Sequence, residues 1–345
     1  MWLDRWMQRL AILATVGFIL LPHVSKAAES AVGFSFAALK AAGTGYPAQL
    51  EEVAADDGSK LVYRLYAPRN PLAVLIFYHG SGSHGAAGYQ HLARALSEQQ
   101  IAVITPDIRG HGDSEGNRGA APKTATVFDD VSNMIEVAQQ RFADLPVYLG
   151  GHDSGAGLAL NYQSYPQREV VDGLVLLAPD MGPFYDTRRA KGPVFSKIDT
   201  SRLLVNLLTA GKAMGTALGS SFAYPAELYM KDSKLISGHT MNMTAAVTPR
   251  KPKDQLAELT MPVGVWVGAE DEMIDPAKLT DLVRSAARLR TVATVPAETH
   301  FSLQLRAADA IGPWIREQAL ASKYKCGSAA FLFQNAASGY WRLAC

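Results

Sequence analysis

This chain has no excess of charge of either sign: 33 Lys and Arg face 32 Asp and Glu over 345 residues, a formal net charge of +1. Without a basic surface there is no electrostatic footprint for a polyanion, so nucleic acid is not an expected partner. Long apolar runs are missing too. The run over residues 10–21 stops after about a dozen residues, whereas a membrane-spanning helix needs roughly 20. Metal-ligand spacing is absent among the eight histidines. His79 and His84 share a loop, His111 belongs to its own turn and His239 stands alone, so neither a metal nor another cofactor is expected. Internal repeats and low-complexity segments are likewise absent. Cysteine occurs only twice, as Cys326 and Cys345 near the C-terminal end.

What is present begins with a leader. Arg5 and Arg9 precede the short apolar run, and Pro22 with Ser25-Lys26-Ala27 then supplies small residues of the kind a signal peptidase reads. The pattern predicts a signal peptide over 1–27, cleavage after Ala27 and a periplasmic or secreted product. An uncleaved anchor giving weak membrane association is the alternative. In an oxidising compartment Cys326 and Cys345 could close a loop of roughly 20 residues, worth about 3 kcal/mol in the chain-entropy account. Such a bridge would pin the tail over 321–345, with its Phe331, Phe333, Tyr340 and Trp341, onto the domain. A hydrophobic content of 48% with 19% charged residues is enough to bury a full core.

The most informative stretch is Gly151-His152-Asp153-Ser154-Gly155. It has the form of a nucleophile elbow, a strained strand-to-helix turn whose positions two before and two after the apex must be small. Gly151 and Gly155 flank Asp153 at that spacing; Ser154 is flanked by His152 and Ala156 and does not meet it. A buried strand is expected over 145–149 and a small-residue helix over 156–162.

Further motifs follow in a consistent order. His79-Gly80-Ser81-Gly82-Ser83-His84 comes directly after an apolar strand expected over 72–78. Asp107-Ile108-Arg109-Gly110-His111-Gly112-Asp113-Ser114-Glu115-Gly116 follows a strand over 101–105. Beyond the elbow, Asp271 stands just past the strand-like Val265-Trp266-Val267-Gly268, and Thr299-His300-Phe301 lies beyond a strand over 291–295. Nucleophile, acid and histidine thus occur in the chain order of α/β-hydrolases, unlike the orders of chymotrypsin and subtilisin.

On these motifs the chain resembles α/β-hydrolases of the monoacylglycerol lipase, lysophospholipase and serine aminopeptidase type, from about residue 61 to 318. That group carries His-Gly-x-Gly-x-His and Asp-x-x-Gly-His-Gly-x-Ser-x-Gly, both reproduced here. Its elbow reads Gly-His-Ser-x-Gly, and this chain departs from it only at the nucleophile. The resemblance implies an α/β-hydrolase fold, with a mainly parallel central sheet, helices on both faces and an inserted, mostly helical cap. The expected division is a lead-in over 28–60, core over 61–180, cap over 181–259 and core over 260–320. The cap segment shows no strand–helix alternation, only apolar residues such as Leu203, Leu207 and Met214 at mixed helical spacings. Most of them would serve to pack the cap onto the core.

The resemblance implies Asp153, Asp271 and His300 as catalytic residues, with the backbone amides of Ser81 and Ser154 forming the oxyanion hole. Glu270, Glu272 and Asp275 compete with Asp271 as the acid; Asp271 matches the family's Gly-x-x-Asp spacing from Gly268. Asp107 and Arg109 are expected to brace their loop. The substrate expected from the scaffold is an ester of a lipid-like or small acyl compound.

Asp153 complicates that expectation. Carboxylate attack on an ester carbonyl gives an anhydride while expelling a far more basic alkoxide, so the adduct should collapse back. Attack at a saturated carbon, as in epoxide hydrolases and haloalkane dehalogenases of this fold, leaves an alkyl ester that water can hydrolyse. Their supporting groups are only partly visible: Ser154 stands where such dehalogenases carry Trp, and Tyr185, Tyr224 and Tyr229 are candidate cap acids for an epoxide. A catalytically silent binding protein is the third reading. In that case the two carboxylates should raise the pKa of His300. Oligomeric state stays open.

Overall fold

The computed structural model describes residues 34–42, 48–286, 290–326, 331–334 and 341–344. The leader with its cleavage site, and Cys345 with the bridge expected to it, lie outside the described residues. No helix among the described residues is long and apolar enough to cross a membrane.

Five strand sequences are buried along their whole length: β3 (Ala73–Tyr78), β4 (Ile101–Pro106), β5 (Val147–His152), β6 (Gly173–Leu177) and β10 (Val263–Gly268). Continuous apolar runs of this kind suit parallel strands covered on both faces. With β1 (Leu50–Ala54), β2 (Lys60–Tyr66) and β11 (Arg290–Val295) they form one eight-stranded sheet in the order β1-β2-β4-β3-β5-β6-β10-β11. Only the pairings of β2 with β1 and with β4 are antiparallel; all the others are parallel.

The two-residue period of a strand sends alternate side chains into two separate cores. Val74, Ile76 and Tyr78 enter one, beneath the helices Thr124–Arg141 and Ser154–Tyr162. Ala73, Leu75 and Phe77 enter the other with Leu92, Leu96, Trp266, Ile311 and Trp314, on the face covered by the helices Tyr89–Glu98 and Ala308–Cys326. The expected layering is therefore present.

The cap holds a feature absent from the expectation. Between β6 and β10 the chain forms a three-stranded antiparallel sheet of β7 (Ser196–Ile198), β8 (Leu218–Phe222) and β9 (Gly238–Thr240). These strands are short and rich in Ser and Gly, so they lack the alternating apolar signature of longer strands. Helices Thr200–Leu208, Ala226–Lys231, Met241–Val247 and Pro252–Glu258 make up the rest. Met241–Val247 is buried throughout, and Asn161 of the core ties to it by donating Nδ2 to the carbonyls of Ala246 (2.9 Å) and Thr248 (2.6 Å).

Candidate active site

In a parallel sheet the loops at the carboxyl ends of strands converge on one rim, where ligands bind. Asp153 follows β5, Ser81 follows β3, Asp271 follows β10 and His300 follows β11. All five residues singled out in the sequence, including Ser154, are brought to this rim.

Asp153 has φ +53° and ψ −117°, a conformation costly for a side-chain-bearing residue. The turn around it is over-determined. Asp153 N–H donates to Leu177 O at 3.0 Å, and its carbonyl accepts from Gly157 N–H at 3.2 Å and Asp180 N–H at 3.3 Å. A Cβ at Gly151 would lie 2.4 Å from the Gly155 carbonyl carbon, and one at Gly155 would lie 2.5 Å from the carbonyl oxygens of Tyr78 and His79. Both glycines are therefore demanded by backbone approach, and the apex belongs to residue 153.

The Asp153 carboxylate is 2% exposed at the residue level and uses its two oxygens differently. Oδ2 accepts the Ser81 N–H at 3.0 Å. Oδ1 has no hydrogen-bond partner and faces His300 Nε2 at 4.0 Å, an atom equally without one. On its other side His300 donates Nδ1–H to Asp271 Oδ2 at 2.9 Å. Asp271 Oδ1 accepts from Met273 N–H (2.9 Å) and Ile274 N–H (2.7 Å), which holds the acid in place.

These charges set the protonation of the imidazole. Burial would push His300 down, yet the charge and hydrogen bond of Asp271, with further help from Asp153 and Glu272, carry it up to about 9. At neutral pH it is an imidazolium between two carboxylates. Asp271 is itself held below its usual value: burial opposes ionisation, but the charge and hydrogen bond of His300 and the two amides outweigh it.

Further residues have roles that sequence reasoning missed. Glu272, named there only as a competing acid, accepts His300 N–H through Oε2 and Ser35 N–H through Oε1, both at 2.9 Å. It thereby joins the lead-in to the histidine turn. Phe36 stacks on Phe301 with ring centroids 4.7 Å apart, and Phe34 packs on Phe195 and Phe301, closing that side with aromatic rings. Thr299 and Ser302 form a reciprocal capping box that fixes where the helix carrying His300 begins.

His152 is likewise positioned by a chain of hydrogen bonds. Its Nε2–H donates to His300 O at 3.1 Å, so its Nδ1 accepts from Tyr89 O–H at 3.0 Å, and Tyr89 in turn accepts Gly80 N–H at 2.8 Å. Burial, reinforced by His300, pushes His152 down to about 3 and keeps it neutral. The elbow motif flagged His152 itself, whereas Tyr89 carries no sequence signal. Of the three cap tyrosines, Tyr224 is the one hydrogen-bonded beside the elbow, its O–H donating to Ser81 O at 2.9 Å. Asp107 and Arg109 do brace their loop: Arg64 pairs with Asp107 at 2.9 Å, and Arg109 pairs with Asp130 at 2.7 Å and Asp57 at 2.8 Å.

The sheet order, the elbow and the carboxylate–imidazole pair define an α/β-hydrolase fold. The chain belongs to the family described as serine aminopeptidase, S33, which matches residues 69–303. It is similar to human monoglyceride lipase, 32% identical over 124 residues, 36% of this chain and 40% of that protein. A putative monoglyceride lipase of Schizosaccharomyces pombe is 36% identical over 122 residues, 34% of this chain and 32% of that one. The matched stretches thus span less than half of these relatives' length. Among solved structures, a soluble variant of monoglyceride lipase from Saccharomyces cerevisiae superposes with TM-score 0.60 at 14% identity, covering 80% of this chain and 96% of that one. A carboxyl esterase from Bacillus coagulans gives 0.59 at 16%, covering 79% and 99%. At such identities the likeness is one of fold.

Proposed function

We propose that the chain is a hydrolase whose attacking atom is Asp153 Oδ1 and whose substrates carry an electrophilic saturated carbon, as in an epoxide or an alkyl halide. The observation that carries this reading is the Ser81 N–H bound to Asp153 Oδ2 at 3.0 Å. In an acyl-transfer enzyme that amide serves the carbonyl oxygen of the substrate. Here the carboxylate already occupies it, so an external ester must compete with a resident anion.

In the alkyl-enzyme route the same contact is productive. Asp153 Oδ1 forms a bond to carbon as the carbon–halogen or carbon–oxygen bond breaks, giving an ester at Asp153 Cγ. For an epoxide, Tyr224 is the nearby hydroxyl able to protonate the departing oxygen if it turns from Ser81 O. Water then attacks Cγ, and the oxygen on which negative charge develops is Oδ2, already seated on Ser81 N–H, with the Ser154 amide as second donor. Esterification removes one of the two anions facing His300, which lowers its pKa so that the ring sheds its proton to solvent. The neutral imidazole then takes the water's proton and passes it to Oδ1 as the Cγ–Oδ1 bond breaks, releasing the alcohol and restoring the carboxylate with the water's oxygen in it.

A second reading keeps lipid-like esters as substrates, with Asp153 as a base toward water. The names of the monoglyceride lipase relatives favour it. Export through the leader at 1–27 belongs to the proposal and is supported by Arg5, Arg9 and the apolar run. One turnover in heavy-oxygen water with epoxides, haloalkanes and short esters tests the assignment. The proposal expects one labelled oxygen in the Asp153 side chain; hydrolysis with label only in the product favours the base route. No turnover of any class rejects both.

A further inference from the structure

Beside the elbow lies a small cleft of about 10 Å³, room for roughly one hydroxyl or water-sized group. Ser81, whose amide binds the Asp153 carboxylate, and Ser154 belong to its wall together with Ser196, Ser220, Thr244 and His239. Ile198, Phe222 and Val247 share that wall, and the Ser220 and Thr244 hydroxyls are already bonded to each other at 3.1 Å, so a polar group of a ligand must find its partner elsewhere in the lining.

The hydrogen bonds around His239 determine its tautomer. His111 Nδ1 lies 3.0 Å from Arg109 O, which can only accept, so His111 carries its proton on Nδ1 and presents Nε2 as a bare acceptor. His239 Nε2 sits 2.9 Å from that atom and must therefore be the donor. The second nitrogen of His239, Nδ1, is left as a lone pair. It is buried and has no partner, in a residue only 2% exposed. A buried acceptor left unmatched is destabilising, and a ligand's donor would relieve it. Burial and the neighbouring His111 push His239 well below the usual imidazole value, so the ring remains an acceptor. Asp180, also in the wall, is already paired with Arg188 at 2.7 Å, which leaves no unbalanced negative charge to recruit a cation.

We infer that His239 Nδ1 is the hydrogen-bond acceptor of a subsite beside Asp153 for a neutral, hydroxyl-bearing portion of the substrate. The inference rests on the proposal that the elbow is the reacting centre, and it adds which substrates reach it. His239 acts as a specificity determinant: its ring is anchored through His111 to the core loop that begins at Asp107, while β9, on which it stands, belongs to the cap.

The test is binding, which needs no turnover. The intact chain is titrated with 1-O-butylglycerol and with butyl propyl ether, its counterpart lacking both hydroxyls. The expected result is about tenfold tighter binding of the diol, a preference lost in His239→Phe while affinity for the ether is unchanged. Should that variant fail to fold, the unmodified chain with nitrogen-15 histidine supplies the answer. His239 Nδ1 should show the resonance of an unprotonated, unbonded nitrogen and move when the diol is added, but not the ether. Equal affinities, binding of neither compound, a preference that survives in a folded His239→Phe, or an unmoved Nδ1 resonance would each overturn the inference. Loss of label at Asp153 with the diol preference intact would instead sink the reaction proposed above and leave this subsite standing.

Discussion

Asp153 Oδ1 and His300 Nε2 stand 4.0 Å apart, and neither atom has a hydrogen-bond partner. Two buried polar atoms left open toward each other, each anchored from behind by an amide or a carboxylate, form a gap shaped for a reacting group.

Asp153→Asn removes the attacking anion while keeping the size of the side chain. Turnover of an epoxide or haloalkane should fall by at least about 10³-fold. Steady-state kinetics with each substrate class checks this. Asp153→Ser should act differently, because vacating the Ser81 amide restores the oxyanion donor. Hydrolysis of a short aryl ester should then appear or rise, and the absence of any gain would count against an intact acyl-transfer scaffold.

The same Asn variant should change His300. With one of its facing anions gone, the imidazole should titrate at lower pH than in the parent chain, whose value is about 9. Histidine titration by NMR reads both directly, and an unchanged value would mean that Asp153 exerts no field on the ring.

Stability should depend on pH from both sides. His300 is raised above the unfolded value of about 6.5, so its contribution is complete below that pH and is lost as pH climbs through about 9. His79 and His152 show the opposite shift. Burial, reinforced by His300 at His152, lowers them to about 4 and about 3, so the unfolded chain takes up protons first and stability falls as pH drops below about 6.5. Chemical denaturation across pH should therefore peak near neutrality, with losses toward both acid and alkali.

Gly155→Ala would place a methyl 2.5 Å from the Tyr78 and His79 carbonyl oxygens, backbone atoms with little freedom to move. A loss of at least about 2 kcal/mol is expected from such overpacking, read from the denaturation midpoint. Gly58→Ala is the control, since a Cβ there meets nothing within 4 Å and only its φ of +81° is strained.

The sheet and the elbow were legible because their signals are local. Fully buried parallel strands are continuous apolar runs, and the spacing of Gly151 and Gly155 fixes residue 153 at the apex. The remainder depends on contacts between distant segments. Glu272 reaches Ser35 across 237 positions, and Tyr89 meets His152 across 63, so no window of sequence could reveal either pairing. The cap sheet was illegible for another reason: strands reading SKI, LGSSF and GHT are too short and polar to announce themselves. His239 stood alone in sequence, and only the folded cap brings it to His111.

The central claim, that Asp153 attacks carbon, is tested most directly by trapping. His300→Gln removes the base needed for the second step while leaving the first intact, so a reactive epoxide or haloalkane should accumulate on the chain. Mass spectrometry of the peptide containing Asp153 should then show an increase equal to the whole epoxide, or to the haloalkane's alkyl group less one hydrogen, approaching one adduct per chain. An unmodified Asp153 under conditions where the parent chain turns over the same compound would contradict the account.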